Sequence, residues 1–225
     1  RGMNKEILEK RRDRLRELIG VAEDRNVLTS IRGAITKLKG ICNFSPYKNT
    51  SPKLKELIKI VRNEVKAGRK ILIFSQYLVE GINKIAPSLE EFRYVQLIGD
   101  MSTLERNYAV TEFRRNPEIK IFIISLMTGG LGLNLPEATT VIHFDNWWNP
   151  ARMWQAEDRA HRSGQTKPVT VYSFLMKDTI EERIEQVLKQ KEKIIKQMIE
   201  QKGQEIEGEL NNLISLEEWR DIFDV

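Results

Sequence analysis

Between residues 70 and 175, short apolar, largely β-branched runs alternate with segments whose apolar positions recur every three to four residues. The runs at 70–75, 94–98, 119–125, 140–144 and 169–175 are too short for buried helices and predict strands. The intervening segments predict helices. One opens at Ser51-Pro52, where serine caps and proline is tolerated in the first turn, and ends at Gly68. A second spans 76–86. Ser102-Thr103-Leu104-Glu105 is a capping box that opens a third, running to about Arg115. A fourth starts at Pro150 and is expected to reach about Arg162; a fifth runs from about Thr179 to Lys202 and stops at Gly203.

Ahead of residue 50 the only period is helical. Met3, Ile7, Leu8, Leu15, Leu18 and Ile19 form a stripe interrupted by Arg11. Val27, Leu28, Ile31, Ile35, Leu38 and Ile41 form a cleaner one, followed by a loop at 43–49 with Pro46 as breaker. The expected organisation is a helical segment over 1–50, an α/β domain with a mostly parallel sheet over 51–203, and a tail over 204–225. In that tail Ser215-Leu216-Glu217-Glu218 predicts a short capped helix bearing Trp219, Ile222 and Phe223. Parallel sheets bind ligands at the carboxyl ends of their strands, so the loops after Phe74, Ile98, Ile124 and Phe144 carry the interest.

Composition narrows the classes. The 225 residues hold 37 Lys+Arg against 32 Asp+Glu, a formal net charge of +5 that permits an anionic partner without demanding one. Cys42 is the single cysteine, so no disulfide forms within the chain. No apolar run approaches the roughly 20 residues of a membrane span, and the charged first residues lack the apolar core of a signal peptide. The expectation is an intracellular, reducing compartment and no membrane partner. His143 and His161 have no companions at metal-ligand spacing, so no metal centre is expected.

Three segments carry candidate chemistry. After the third strand, Gly129, Gly130 and Gly132 free the backbone for close approach of a ligand, or serve an ordinary tight turn. A dinucleotide fingerprint begun at Gly130 fails at Leu135, and no phosphate-cradling G-x-x-x-x-G-K-[ST] occurs, which disfavours a free-standing Rossmann-type oxidoreductase. After the fourth strand comes Asp145-Asn146-Trp147-Trp148-Asn149-Pro150; one tryptophan suits the core and an exposed one suits stacking on nucleic acid. On the helix that follows, Gln155, Asp158, Arg159 and Arg162 share one face by their spacing. That face is either a phosphate clamp or a solvated surface with Asp158 paired to Arg162.

Taken together these segments resemble the second half of the Swi/Snf-type DNA translocases of helicase superfamily two. Residues 145–165, DNWWNPARMWQAEDRAHRSGQ, resemble motif VI with its upstream segment. SLMTGGLGLNL over 125–135 resembles motif V, and ILIFSQY over 71–77 resembles motif IV. Gly99-Asp100-Met101-Ser102 with Glu105, Arg106 and Phe113 resembles the segment after it. VTVYSF over 169–174 with Thr179-Ile180-Glu181-Glu182 resembles the closing strand and helix, and KLKGICN over 37–43 the helix ahead of the lobe, although Phe44 stands where the family usually has histidine.

The resemblance implies a three-layer, RecA-like domain of the P-loop NTPase type that is one of two motor lobes. The family's first lobe carries the phosphate loop and the Asp-Glu pair that holds Mg2+, and neither motif occurs in this chain. ATP and Mg2+ would be held mainly by that first lobe. Arg159 and Arg162 would be the arginine fingers, Gln155 would contact the nucleotide or order the arginines, and Asp158 would hold an arginine in place. Gly130, Gly132 and Asn134 would lie with Asp158 on the nucleotide side. Ser75, Gln76, Gly99, Ser102, Ser125, Thr128 and Trp148 would approach the DNA backbone without reading sequence. The implied partners are duplex DNA and the first RecA-like lobe. The implied activity is ATP-dependent translocation of chromatin-remodelling or recombination type, in the nucleus of a eukaryote or the nucleoid of a prokaryote, with the chain inactive by itself. A catalytically inactive DNA-binding or regulatory α/β module is the alternative.

Overall fold

The computed structural model describes residues 25–45, 51–128, 133–147, 149–161, 164–202 and 214–223. The chain forms two compact units. One comprises Asn49–Trp147 with Arg152–Phe174, the other Arg1–Lys48, Trp148–Ala151 and Leu175–Val225. The first helical stripe, Met3 to Ile19, lies outside the described residues.

The first unit is built on five parallel strands: β1 (Lys70–Ser75), β2 (Tyr94–Leu97), β3 (Ile121–Ser125), β4 (Ala138–His143) and β5 (Thr170–Ser173). Their order across the sheet is β2-β3-β1-β4-β5. In β1 every residue from Ile71 to Ser75 is buried, because an all-parallel sheet is covered on both faces. On one face Leu72, Phe74, Phe122, Ile124 and Val141 pack with Ala109 and Phe113 of α3 (Thr103–Arg115) and with Ala156 of α4 (Pro150–Glu157). Phe113 and Phe122 meet with ring centroids 5.2 Å apart, a tilted pair of the kind that adds about 1 kcal/mol beyond its buried area. The alternate positions Ile71, Ile73, Ile121, Ile123 and Ile142 point to the other face and are fully buried too.

Helix α2 (Pro52–Lys66) lies against β1 and is closed at both ends. Ser51 caps it, its hydroxyl accepting from the Leu54 N–H at 3.0 Å. At the other end Gly68 takes φ +74°, and the Gly68 and Arg69 N–H groups reach back to the carbonyls of Val65 and Glu64, a Schellman closure that needs glycine. The turn delivers Arg69 onto Glu64 through two hydrogen bonds of 2.6 and 2.7 Å. The Thr140 hydroxyl of β4 donates to the same carboxylate at 2.5 Å. Together Arg69 and Thr140 hold Glu64 below the ordinary carboxylate range, against the opposing effect of burial.

The second unit is helical in its described part. α1 (Arg25–Asn43) buries Ile35, Leu38, Ile41 and Cys42. The long helix α5 (Ile180–Lys202) buries Ile184, Leu188 and Ile195 and lies against α1 and against α6 (Leu216–Phe223). Ser215 and Glu218 form the expected capping box at the start of α6. Arg183 donates to the Ile222 carbonyl at 2.9 Å and Lys191 meets Glu218 at 2.5 Å. The long helix, expected within 51–203, thus groups with α1 and α6, because its apolar stripe is covered by those two helices.

Two predicted helices differ from expectation. Over 76–86 the chain makes a π-turn at Leu78–Ile82 and one short helical turn at Asn83–Ile85. The Ile82 N–H reaches five residues back to the Tyr77 carbonyl, the wide ring of a π-turn. The helix begun at Pro150 stops at Glu157 instead of continuing to Arg162, for reasons that belong to the site.

Candidate nucleotide and nucleic-acid interface

The strand order decides where a ligand can sit. The chain leaves β1 toward β2 on one side and leaves β4 toward β5 on the other. Between those diverging loops lies the crevice that open α/β sheets use. Its floor is a buried carboxylate. Asp145, fully buried just past β4, accepts from the Ser75 hydroxyl at 2.5 Å and from the Gln76 N–H at 2.9 Å. The Gln76 side-chain amide donates to the Asn146 carbonyl at 3.3 Å. The ends of β1 and β4 are therefore clasped by polar groups.

The expected backbone contacts divide into two sets. Ser75 is fully buried, and its hydroxyl also accepts from the Tyr77 N–H at 3.2 Å. Ser125 and Thr128 are buried as well: Ser125 accepts from the Met127 N–H at 3.3 Å, and Thr128 donates to the Ser125 carbonyl at 2.6 Å. These hydroxyls stabilise their own turns. Gly99 and Ser102 are exposed and Gln76 is half-buried. Arg106 braces that stretch, donating to the carbonyls of Gly99 at 2.6 Å and Met101 at 2.8 Å. Ser102 and Glu105 form the predicted capping box, whose hydrogen bonds hold the Glu105 carboxyl below its ordinary range.

Of the residues expected on the nucleotide side, Asn134 is exposed and Gln155 is half-buried on α4. The shared face expected for Gln155, Asp158, Arg159 and Arg162 does not extend past Glu157. Arg159 N–H bonds to Ala156 and Ala160 N–H to Glu157, three residues back, so the helix tightens and ends. Asp158 is consequently exposed while Arg159 is buried at 7% exposure. The Arg159 carbonyl accepts from the Leu135 N–H at 2.7 Å, which ties this turn to the segment after β3. Gly129, Gly130, Gly132, Trp148 and Arg162 lie outside the described residues.

Three residues not proposed as site residues from the sequence hold this arrangement; one of them, His143, is a buried core histidine. Gln165 donates its amide to the carbonyls of Pro136, Ala138 and Ala160 at 2.9, 2.8 and 3.3 Å, pinning the turn after α4 to the start of β4. Its place in the motif VI string was the only sequence signal. His143, fully buried, meets Glu157 at 3.1 Å and stacks on Phe74, joining β4 to the end of α4. Gly81 backs onto Ser75 so closely that a methyl group there would lie 2.3 Å from the hydroxyl oxygen. Of the two tryptophans, Trp147 is half-buried against the core with Arg152 over its ring at 5.6 Å.

The surface beyond these loops is apolar in places. Val79, Leu104, Tyr108 and Met127, all in segments that follow β1, β2 or β3, are 62–81% exposed. A cavity of about 400 Å³ lies at the other, amino-terminal end of the strands. Two of its cations are already committed, Arg69 to Glu64 and Lys70 to the carbonyls of Phe113 and Asn116. Among the described residues no group of three or more His, Cys, Asp or Glu is placed to hold a metal ion, and no helix is long and apolar enough to cross a membrane.

Residues 52–164 match the family described as the helicase conserved C-terminal domain. The chain is 39% identical over 161 residues to the chromatin-remodeling ATPase INO80 of Saccharomyces cerevisiae, an alignment covering 69% of this chain and 10% of that protein. Among solved structures, the Sulfolobus solfataricus SWI2/SNF2 ATPase core in complex with dsDNA superposes with a TM-score of 0.76 at 29% identity, covering 98% of this chain and 47% of that one. The C-terminal domain of the Sulfolobus solfataricus SWI2/SNF2 ATPase gives a TM-score of 0.75 at 26% identity, covering 98% of this chain and 92% of that one. The chain thus spans about a tenth of the length of the INO80 relative.

Proposed function

Since this chain belongs to the helicase conserved C-terminal domain family, as the C-terminal lobe of a Swi/Snf-type superfamily two protein, we propose that it is the second motor half of an ATP-dependent duplex-DNA translocase. The observation that carries the proposal is the hydrogen bond from the Leu135 N–H to the Arg159 carbonyl. It ties Leu135, on the segment that leads into β4, to the arginine-bearing turn after α4. In this reading the glycine-bearing loop after β3 links the DNA side of the crevice to the nucleotide side, and the turn faces the nucleotide.

ATP supplies the phosphoryl group whose hydrolysis drives the motor, with Mg2+ held by the first lobe. Arg159 and Arg162 meet the charge that develops on that group, and Gln155 and Asp158 order them. Gln76, Gly99 and Ser102 stand at the surface for contacts to a DNA backbone, contacts that carry no sequence information. The apolar side chains Val79, Leu104, Tyr108 and Met127 suit a surface that the first lobe covers.

The test separates the two halves of the motor. The chain by itself is expected to hydrolyse no ATP, and robust turnover by it would overturn the half-motor reading. In the protein that contains both lobes, Arg162→Ala is expected to lower DNA-stimulated hydrolysis by about 10³–10⁵-fold and leave duplex affinity largely intact. Parallel loss of both activities would make Arg162 a structural residue instead.

A further inference from the structure

The clasp between β1 and β4 assigns a part to a residue that is neither a DNA contact nor a nucleotide contact. The Asp145 carboxylate is fully buried, and each of its oxygens takes a donor from the segment after β1. Oδ2 accepts the Ser75 hydroxyl at 2.5 Å, and Oδ1 accepts the Gln76 N–H at 2.9 Å. Ser75 is enclosed on its other sides, by the Tyr77 N–H at 3.2 Å and by Gly81. A hydroxyl so enclosed offers nothing to an external phosphate. Gln76, the next residue, is the one that reaches the surface.

We propose that Asp145 is a positioning residue for the DNA grip, with Ser75 as part of its anchor and Gln76 as the group it presents to the backbone. The proposal rests on the reading of this chain as a DNA-gripping motor lobe. Two donors on one buried carboxylate fix both the direction of the Ser75 side chain and the peptide plane of Gln76, and so fix where the Gln76 side chain starts. The same segment continues into α4: the Trp147 N–H meets the Met153 sulfur at 3.3 Å.

The experiment uses the two-lobed protein and two readouts: anisotropy of a fluorescent duplex, and ATP hydrolysis titrated with DNA. Asp145→Ala is expected to raise the DNA concentration for half-maximal stimulation by about tenfold, the scale of one buried acceptor lost, with the rate at saturating DNA preserved. Asp145→Asn should recover most of this, since its amide oxygen can keep the Gln76 N–H while its amino group donates to a reoriented Ser75 hydroxyl. Ser75→Ala in the parent should cost less duplex affinity than Asp145→Ala, because Asp145 still holds Gln76. Combined with Asp145→Asn the loss should depart from the sum of the two single losses, because both substitutions act on the same hydrogen bond. This cycle still decides the question if Asp145→Ala does not fold.

Additive effects in the cycle, or a Ser75→Ala loss as large as that of Gln76→Ala, would overturn the clasp and make Ser75 a direct contact. Weak binding by Gln76→Ala with normal binding by Asp145→Ala would overturn the clasp alone. Normal binding by Gln76→Ala would overturn both the clasp and the reading of this loop as a DNA contact.

Discussion

Replacing Gly81 with alanine tests the packing under the crevice. Gly81 is buried in the π-turn, and its φ is not in the left-handed region, so nothing in its backbone conformation calls for glycine. On conformational grounds alone the substitution would stabilise the fold by about 0.4–1 kcal/mol. The added methyl, however, would lie 2.3 Å from the Ser75 hydroxyl oxygen, 3.2 Å from the Ser75 Cβ and 3.2 Å from the Tyr77 Cβ. Something must move, and overpacking of this kind costs about 1–3 kcal/mol. The flexible partner is the Ser75 hydroxyl, which can yield only by lengthening its bond to Asp145, a charge-assisted bond worth about 1.5–3 kcal/mol. The net expectation is a loss of about 2 kcal/mol, or roughly 4–8 °C in melting temperature for a chain of this size. Circular dichroism melts of the parent and Gly81→Ala read this directly. In a Ser75→Gly background, which removes two of the three close atoms, the penalty should fall below about 1 kcal/mol. A Gly81→Ala protein that melts at or above the parent would refute the close-approach argument.

Acid titration examines Glu64. Its carboxyl is held below the ordinary range by Arg69 first and by the Thr140 hydroxyl, so its contribution is complete above the unfolded-state value of about 4.3 and fades as pH falls through the lower folded value. Glu64→Gln should therefore have a lower urea midpoint than the parent at pH 7, with the difference shrinking in acid; a gap independent of pH would refute the charge argument. Gln165→Ala should lose about 1–3 kcal/mol, because the Pro136 and Ala138 carbonyls lose their donor at the start of β4. It should also speed amide exchange at Lys167, whose N–H bonds to the Gln165 side-chain oxygen at 2.9 Å, and unchanged exchange there would refute the pinning role.

Features decided within a few residues were legible in the sequence. The Ser51 cap, the Gly68 closure and the Ser102–Glu105 box depend on neighbours three to five positions away and form as expected. Strand positions followed from short β-branched runs, and the all-parallel α/β arrangement from their alternation with helices. The misread parts depend on distant residues. The π-turn after β1 brings Gly81 against Ser75, and the early end of α4 goes with Leu135 and Gln165, which bind the Arg159 and Ala160 carbonyls of the turn that follows it. Short hydroxyls at strand ends read as surface contacts for a phosphate. Ser75, Ser125 and Thr128 turn inward because Asp145 and local carbonyls offer them partners that no local pattern reveals.

The strand order also sets the sequence of events by which this lobe is made. β1 is the earliest strand and the middle one. Ile71 pairs with Ile121 on one side and Thr140 on the other, while the next strand, β2, pairs only with β3. As the chain leaves a ribosome, the apolar segment of β1 waits without a partner until β3, and then β4, has emerged. Consolidation of the sheet is a late, long-range event, slow by the ordinary dependence of folding rate on sequence separation. During that interval Ile71-Leu72-Ile73-Phe74 is an uncharged β-forming stretch, the kind that associates with its like. Lys70 immediately before it is a charge of the kind that restrains such association in a nascent chain, a service separate from anything it does in the finished fold.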